Sequence, residues 1–360
     1  MTTLNIYLDR IAYNLNFLKS KSSPLIKLIA VVKANAYGHG AVKIANYLNE
    51  LGVDKFAVAS SNEGIELREG GIKSDIIVFY PDPFDFTDII KYNLEPAVYS
   101  KQMWENLSAI LKNRKLNNFP IHLKFNSGLN RLGFNFEEIS WIKNKLEGCS
   151  FKIESVYSHL SSSEEIRGND FTNNQIAAFD KIKNIFIKIN PNIKYHLLNS
   201  SGIQNYPEFK YDWVRAGISL YGYANNLEWD KKLLPVAELK TKIIQIHHLE
   251  KDQVVGYNNG WTAKGKTVIA TIPIGHADGI GRYFGNSNAG VWIKNEKAPI
   301  VGNICMDMFM VDITNIDCSE GDEVIVFDKS YPANEFAESG GSISYELLSG
   351  IGNRIIRNYL

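Results

Sequence analysis

Short apolar runs alternate with amphipathic stretches through the first two thirds of the chain. The runs have strand length and lie at Leu28–Lys33, Lys55–Ser60, Asp75–Tyr80, Leu94–Ser100, Ile121–Asn126, Ile153–Leu160, Tyr195–Ser200 and Tyr211–Gly217. Stretches of helical periodicity between them include Asn62–Glu69, Lys101–Lys112, Phe136–Glu147 and Phe171–Lys188. This alternation predicts parallel strands with crossover helices. Eight units in about 200 residues favour a closed (β/α)8 barrel of the TIM type, although the pattern alone also allows an open doubly wound sheet.

The pattern changes after a polar stretch at residues 225–232, which we interpret as a linker. The strand-like segments beyond it are Ala237–His247, Thr267–Ile274, Gly290–Lys294, Met308–Ile313 and Asp322–Phe327. Clusters of Gly, Asn and Lys separate them, and a short helix is predicted at Ser344–Leu348. The sequence therefore predicts two domains, an α/β barrel over residues 1–230 and a mostly β C-terminal domain over residues 231–360.

Composition places the chain among soluble globular enzymes. Of its 360 residues, 45% are hydrophobic and 22% are charged, and 39 acidic residues balance 39 basic ones. This balance gives no general attraction to nucleic acid or to an anionic membrane. The three cysteines are too scattered for a CxxC pair or a disulfide framework, and no signal peptide or membrane-spanning apolar run is evident. We expect a cytoplasmic protein without a metal site.

The segment Leu28–Gly40 carries the most informative chemistry. A buried strand leads into Lys33, and a polar turn with two glycines follows before a helical pattern begins at Ala41. Burial disfavours the ammonium form of a lysine, and a neutral amine is suited to Schiff-base chemistry. A lysine at the end of an arbitrary strand more often simply reaches solvent, so the interpretation depends on what the other strand ends carry.

Reactive or ligand-binding residues follow five of the predicted strands. They are Lys33 at the first strand, Lys124, Asn126 and Arg131 at the fifth, Tyr157 and His159 at the sixth, His196, Asn199 and Ser200 at the seventh, and Arg215, Gly217 and Ile218 at the eighth. Barrel active sites lie at the C-terminal ends of the strands. The last two strand ends offer hydroxyl, amide and backbone donors for a phosphate. An organic cofactor with an aldehyde and a phosphate therefore fits both ends of this site.

The stretch Val-Val-Lys-Ala-Asn-Ala-Tyr-Gly-His-Gly at residues 31–40, with these strand ends, resembles the pyridoxal phosphate (PLP) lysine motif and barrel of alanine racemases. The resemblance covers nearly the whole chain. Further matching segments are Phe171–Gln175, Leu239–Ile243, Ile272–Gly279 and Ile300–Asp307. It implies a PLP-dependent isomerase that interconverts L- and D-alanine for peptidoglycan. It also implies a head-to-tail homodimer whose active sites are shared between subunits.

By this resemblance, Lys33 and Tyr257 are the two catalytic bases. Lys33 would bind the cofactor aldehyde and serve one face of the substrate α-carbon, and Tyr257 would enter from the second subunit to serve the other face. Such an arrangement suits racemisation, because a planar carbanion must be protonated on the face opposite to the one that lost its proton. His159 matches the histidine that contacts this tyrosine.

The resemblance assigns the remaining residues to the cofactor and the substrate. Arg215 would face the pyridine nitrogen, and Arg131 would contact the cofactor phenolate and the substrate carboxylate. Lys124 matches a lysine that is commonly carbamylated and positions that arginine. The phosphate would be held by Tyr37, Ser200, Gly217 and Ile218, and the strand-end argument above adds Asn199 to the cofactor site. The substrate would be bordered by Met306 and Asp307 of the second subunit.

Four positions depart from the usual pattern of the family. Three of them, His276, Asn303 and Asn353, stand at channel positions where a tyrosine, an arginine and a tyrosine are usual, and Asn126 replaces an aspartate in the Arg131 loop. The same mechanism acting on serine or on a broader set of amino acids is therefore an alternative. A non-catalytic PLP-homeostasis barrel is disfavoured by the second domain and Tyr257. A PLP decarboxylase is disfavoured because its glycine-rich phosphate loop and cysteine motif are not evident.

Overall fold

The computed structural model describes residues 2–21, 26–165, 170–209, 211–224 and 226–360, so Asn225 of the predicted linker lies outside the described residues. After strand β1 (Thr3–Ile6), eight parallel strands close into a barrel. They are β2 (Lys27–Val31), β3 (Lys55–Val58), β4 (Asp75–Val78), β5 (Glu95–Val98), β6 (Phe119–Lys124), β7 (Phe151–Tyr157), β8 (Lys194–His196) and β9 (Trp213–Ala216). β9 pairs with β2 and closes the barrel. The predicted closed barrel is confirmed, and the open sheet is excluded.

Helices connect the strands and cover the barrel. In the described residues they are α1 (Leu8–Lys21), α2 (Ala41–Glu50), α3 (Ser61–Glu69), α4 (Thr87–Lys91), α5 (Lys101–Asn113), α6 (Ile139–Leu146), α7 (Asp170–Ile189), α8 (Ser200–Asn205) and α9 (Leu227–Asp230). Serine caps begin two of them. Ser100 Oγ accepts the amide proton of Met103 at the start of α5, which satisfies an N–H group that has no partner inside the helix. No helix of the described chain is long and apolar enough to cross a membrane.

The second domain is mostly β, as predicted. Its strands are β10 (Ala237–Lys242), β11 (Gln245–Leu249), β12 (Val254–Val255), β13 (Trp261–Thr262), β14 (Thr267–Ile272), β15 (Gly290–Ile293), β16 (Glu296–Val301), β17 (Phe309–Asp312), β18 (Glu323–Phe327) and β19 (Ile356–Tyr359). Two helices, α10 (Ala333–Ser339) and α11 (Ser344–Ser349), follow β18. The described strands form a sheet in the order β11-β14-β17-β16-β15-β18-β10-β1-β19, and β12 and β13 pair separately.

Two strand predictions in this domain need correction. The predicted strand Ala237–His247 is two strands, because the chain leaves the ladder between Lys242 and Gln245. The polar Lys294-Asn-Glu-Lys cluster does end the predicted strand, but its last two residues already belong to a further strand, β16, which the sequence did not predict. Lys294 and Asn295 have φ of 48° and 67° and form the two-residue turn of the β15–β16 hairpin. Two consecutive residues with positive φ match the twist of a hairpin, so β16 begins directly at Glu296.

The first strand, β1, belongs to the sheet of the second domain although it lies within the first 230 residues. It runs antiparallel to β10 and parallel to β19, with Ile6 opposite Ala237 and Tyr359. Leu4 and Ile6 point into the core and are almost fully buried. The two ends of the chain are thus joined in one sheet, and α1 leads from this sheet back to the barrel.

Replacement of Ile6 by Ala should therefore destabilise the protein strongly. Ile6 has no exposed surface, and the cavity left by the lost methyl groups should lower the free energy of unfolding by about 2–5 kcal/mol. The measurement is equilibrium urea unfolding at a fixed protein concentration. As a control, Ile187→Ala on α7, where the side chain is 43% exposed, should change this free energy by less than about 1 kcal/mol. Equal losses in both variants would contradict the role given to β1.

Candidate active site

A cavity of about 320 Å³ lies at the C-terminal ends of the barrel strands. Ten of the residues singled out in the sequence line it: Lys33, Tyr37, Lys124, Arg131, His159, Asn199, Ser200, Arg215, Gly217 and Ile218. They come from strands or loops that are far apart in the chain. Barrel closure brings them together, because parallel strands present all of their C-terminal ends on one face.

Lys33 begins a left-handed turn. The four residues that follow it, 34–37, have φ between 51° and 53°, a region that costs an L-residue roughly 1–2 kcal/mol. The turn is held by backbone bonds from Gly38 to Ala34 and from Gly40 to Asn35. Gly38, the residue after the turn, packs closely against the backbone of Leu348, because a Cβ atom at Gly38 would collide with the Leu348 carbonyl. The sequence predicted a turn at this place but not its handedness.

The carboxylate of Glu63 joins the start of this turn to the residues that follow β3. Glu63 Oε1 accepts the amide proton of Ala34 at 2.7 Å, and Oε2 accepts those of Ala59 at 2.6 Å and Ser60 at 3.3 Å. A charged acceptor makes such hydrogen bonds strong. The position of Lys33 is therefore determined by α3 as well as by its own strand.

The cavity carries a concentrated positive charge. Among the described residues that line it, Lys33, Lys124, Arg131 and Arg215 are basic and none is acidic. Burial, and then Arg131, lower the pKa of Lys33. Burial, and then Arg131, Arg215 and Lys33, lower the pKa of Lys124 to about 8. Both amines therefore carry a larger neutral fraction near neutral pH than free lysine does, and the site favours anionic ligands.

Arg215 is the most firmly held of these cations. Its NH2 donates to the carbonyls of Ser158 and Leu197 at 2.8 and 2.9 Å and to His159 Nδ1 at 3.1 Å, and its NH1 donates to His196 Nδ1 at 2.6 Å. Burial lowers its pKa to about 10, so the guanidinium is still charged at neutral pH. Burial and Arg215 hold the pKa of His159 well below its usual range, so this imidazole is neutral.

The other end of the cavity is built for a small anion. Ser200 Oγ accepts the amide proton of Gly217 at 2.9 Å, and Asn199 Oδ1 accepts that of Gly202 at 2.9 Å, which ties the starts of α8 and of the 3-10 helix Ile218–Tyr221 together. Helix starts present backbone N–H groups. Tyr37 completes this end, and a Cβ atom on Gly217 would lie 2.5 Å from the Tyr37 hydroxyl oxygen.

The cavity is also lined by two tyrosines for which the sequence indicated no role. Tyr157, at the sixth strand end, has its ring stacked on His196 with centroids 4.7 Å apart. Its buried hydroxyl has no hydrogen-bond partner among the described residues. Tyr345, from the second domain, lines the cavity near Tyr37. The place of Tyr157 follows from its spacing, because it precedes His159 by two residues and alternate strand residues share a face, whereas no signal in the sequence pointed to Tyr345.

Three predicted site residues do not line this cavity within the described chain. Tyr257 is 70% exposed and Met306 59% exposed on the second domain. Asn303 Nδ2 donates to the carbonyl oxygen of Tyr257 at 3.0 Å. The carboxylate of Asp307 forms an ion pair with Arg354 at 2.8 Å. Their loops are thus ordered by local contacts, but one copy of the chain does not bring them to Lys33. His276 and Asn353 are also exposed on this domain.

Comparison with known proteins gives a consistent result for both domains. Residues 6–225 match the family model for the alanine racemase N-terminal domain, and residues 236–359 match the model for the alanine racemase C-terminal domain. A curated alanine racemase 1 from Clostridium acetobutylicum is 37% identical over 367 aligned positions, which cover 99% of this chain and 94% of that protein.

Solved structures agree with the sequence relatives. The alanine racemase of Clostridium difficile 630 has a TM-score of 0.92 and 35% identity, covering 100% of this chain and 95% of that one. An alanine racemase from Bartonella henselae, solved with covalently bound pyridoxal phosphate, has a TM-score of 0.90 and 29% identity and covers 100% of this chain and 99% of its own. Family models over both domains and relatives aligned along the full chain lead to one conclusion: this protein belongs to the alanine racemase family.

Proposed function

We propose that this protein interconverts L- and D-alanine with pyridoxal phosphate, and that Lys33 and Tyr257 of the partner subunit transfer the protons. One observation carries the proposal. A lysine amine of lowered pKa lies in the same cavity as an anion-binding end made from Ser200 and Gly217. The family relationship adds the substrate and the reaction type.

The residues present fit pyridoxal phosphate. Lys33 supplies an amine for the aldehyde, and because Gly217 has no side chain, the Tyr37 hydroxyl can approach the backbone at the other end of the cavity, where a phosphate would be held. Arg215 supplies a donor for the ring nitrogen, and because the guanidinium keeps its proton at neutral pH, that nitrogen would stay unprotonated. When bound, the cofactor withdraws electrons from the substrate and makes its α-proton acidic. All other steps fall to the protein.

Tyr257 is the proposed proton carrier on the second face of the substrate. It is 70% exposed in the single chain and does not line the cavity beside Lys33. Racemisation needs a group on each face of the α-carbon, and a homodimer would supply it if Tyr257 of the partner subunit entered the cavity. Met306 and Asp307 would accompany it and border the substrate.

His159 is suited to tune that tyrosine. Arg215 donates to His159 Nδ1 at 3.1 Å, and because a guanidinium cannot accept, Nδ1 must accept. The neutral ring therefore carries its proton on Nε2. An Nε2–H donor facing a phenol oxygen favours the phenolate, which lowers the pKa of a tyrosine toward neutrality.

Lys124 and Arg131 are proposed to serve the substrate carboxylate. With a pKa of about 8, a fraction of Lys124 is a neutral amine near neutral pH, and attack of this amine on CO2, with loss of a proton to solvent, would convert it to a carbamate. That negative charge would balance and orient Arg131, as a carboxylate does beside a functional arginine. We place the reaction in the cytoplasm, with D-alanine supplied to peptidoglycan synthesis.

The purified protein loaded with pyridoxal phosphate should racemise alanine. The measurement is exchange of the α-proton for deuterium, together with optical inversion, on L-alanine, D-alanine, serine, lysine and glutamate. The expected result is that alanine has the highest kcat/KM. A preference for serine, or equal rates on several substrates, would favour the alternative suggested by His276, Asn303 and Asn353. Absence of α-proton exchange from alanine would refute the proposal.

Replacement of Tyr257 by Phe should remove one direction of proton transfer. Loss of a general acid–base group lowers racemisation by about 10²–10⁴-fold, whereas Lys33 should still exchange the α-proton of one enantiomer. The visible absorbance of bound cofactor should not change. Tyr13→Phe on α1, which also alters an exposed tyrosine, is the control and should behave as the parent. Retained exchange of both enantiomers in Tyr257→Phe would show that the tyrosine is misassigned.

Replacement of Gly217 by Ala should weaken cofactor binding. The new Cβ would lie 2.5 Å from the Tyr37 hydroxyl oxygen, so Tyr37 must move away from the anion-binding end. We expect the dissociation constant for pyridoxal phosphate to rise at least about tenfold, or ~1.4 kcal/mol, in a fluorescence titration of the apoprotein. Gly265→Ala is the matched control, because no atom lies within 4 Å of its added methyl group. An unchanged dissociation constant in Gly217→Ala would place the phosphate elsewhere.

A further inference from the structure

A row of polar side chains crosses the interior of the barrel and ends at Arg215. Its members are Lys55 on β3, Glu95 on β5, His122 on β6, Ser155 on β7 and His196 on β8. Glu95 Oε2 lies 3.2 Å from Lys55 Nζ and 2.9 Å from His122 Nε2. Ser155 Oγ lies 2.7 Å from His122 Nδ1 and 2.9 Å from His196 Nε2, and His196 Nδ1 lies 2.6 Å from Arg215 NH1. We call this row the relay.

The two ends of the relay are compatible with one direction that all of the hydrogen bonds between them can follow. Arg215 can only donate, so His196 Nδ1 accepts and the neutral His196 ring carries its proton on Nε2. That proton is donated to Ser155 Oγ. In this direction the serine hydroxyl donates its own proton to His122 Nδ1.

The far end of the relay agrees with this direction. With Nδ1 accepting, the His122 ring has a proton on Nε2 only and donates it to the carboxylate of Glu95, which can only accept. Lys55 also donates to Glu95, so the buried negative charge is balanced. These donors hold the pKa of Glu95 at about 2 in spite of its burial, and burial and Arg215 hold the pKa of His196 well below its usual range. All of these hydrogen bonds can therefore form together in this one direction.

We propose that Glu95 is a positioning residue for Arg215: through His122 and Ser155 it fixes the tautomer of His196, so that Nδ1 of His196 is an acceptor that orients the guanidinium. The importance of this for catalysis rests on the proposed function, in which Arg215 faces the cofactor ring nitrogen. With the opposite tautomer, an N–H of His196 would point at an N–H of Arg215. The guanidinium would then turn from its present plane or lose one of its acceptors.

The surroundings hold the relay in place. His122 and His196 have no exposed surface. The His196 ring stacks on Tyr157, with centroids 4.7 Å apart, and contacts Trp213, with centroids 5.6 Å apart. This packing restricts rotation of the His196 ring. A reversed relay would have to change by proton transfer along the row, not by movement of the rings.

The test is ¹⁵N NMR of histidine side chains in the full-length, cofactor-loaded protein. The expected result for the parent is that His122 and His196 are both neutral and protonated on Nε2. A parent protein in which His196 carries its proton on Nδ1, or in which His122 is doubly protonated, would overturn the proposal.

Two variants cut the row at different points. Ser155→Ala removes the central hydroxyl and leaves Glu95 beside His122, so His122 should keep its tautomer and His196 should become a mixture. Glu95→Ala should mix the tautomers of both rings. In both variants kcat for alanine should fall about 10- to 100-fold, as for other residues that position a functional group, with KM changed less than twofold. An unchanged His196 signal, or an unchanged kcat, in Ser155→Ala would overturn the proposal.

A control separates the relay from a general loss of packing. Thr241→Val removes a buried hydroxyl that bonds Thr2 Oγ1 at 2.8 Å in the second domain. It should lower thermal stability without changing the His196 signal or kcat. The NMR measurement does not depend on substrate, so the expected tautomers in a protein that fails to racemise alanine would refute the proposed function and leave the inference standing. Normal racemisation of alanine by a protein whose His196 carries its proton on Nδ1 would refute the inference and leave the proposed function standing.

Discussion

The pairing of the first barrel strand with the last determines where the site forms. β2 and β9 lie at opposite ends of the barrel sequence, yet they pair in parallel with Ile29 opposite Arg215. This pairing places the turn after Lys33 against the segment that begins at Gly217. Tyr37 then closes on Gly217 so tightly that a single added carbon would not fit. The amine and the anion-binding end of the cavity are therefore held at a fixed separation by barrel closure and not by a contact of their own.

The charges around the cavity follow from the same closure. Four basic side chains meet there, and none of the described lining residues is acidic. Burial lowers the pKa of Lys33 and of Lys124 most, and neighbouring cations, Arg131 first, lower it further. Backbone carbonyls and neutral imidazoles hold Arg215 instead of a carboxylate. The concentrated positive charge thus favours anionic ligands and, together with burial, raises the neutral fraction of each amine.

The sequence was sufficient to predict the barrel, the mostly β second domain and ten residues that meet in one cavity. Strand alternation carried this success, because the C-terminal ends of parallel strands share one face whatever the details of packing. It did not predict β1, whose four residues carry little pattern and whose partners lie at the far end of the chain. It did not predict the handedness of the turn after Lys33, because left-handed φ at two alanines and a tyrosine is contrary to local preference. The proposed approach of Tyr257 to Lys33 would need a second copy of the chain, because in the single chain Tyr257 is exposed and does not line the cavity.

The relay could not be predicted from the sequence either, but for a different reason. Barrel interiors are usually filled by branched apolar side chains, so Glu95, His122 and Ser155 have no reason to be grouped until the strand register is known. Once the register brings them together, the energetic cost of burying these polar side chains is also explained. A buried polar group is costly only when it is left without a partner, and here every link has one, from Lys55 to Arg215. An apolar layer would fill the same space, but it would offer no acceptor to Arg215 on the side away from the cavity. The polar layer thus provides buried support for a cation that lines the cavity.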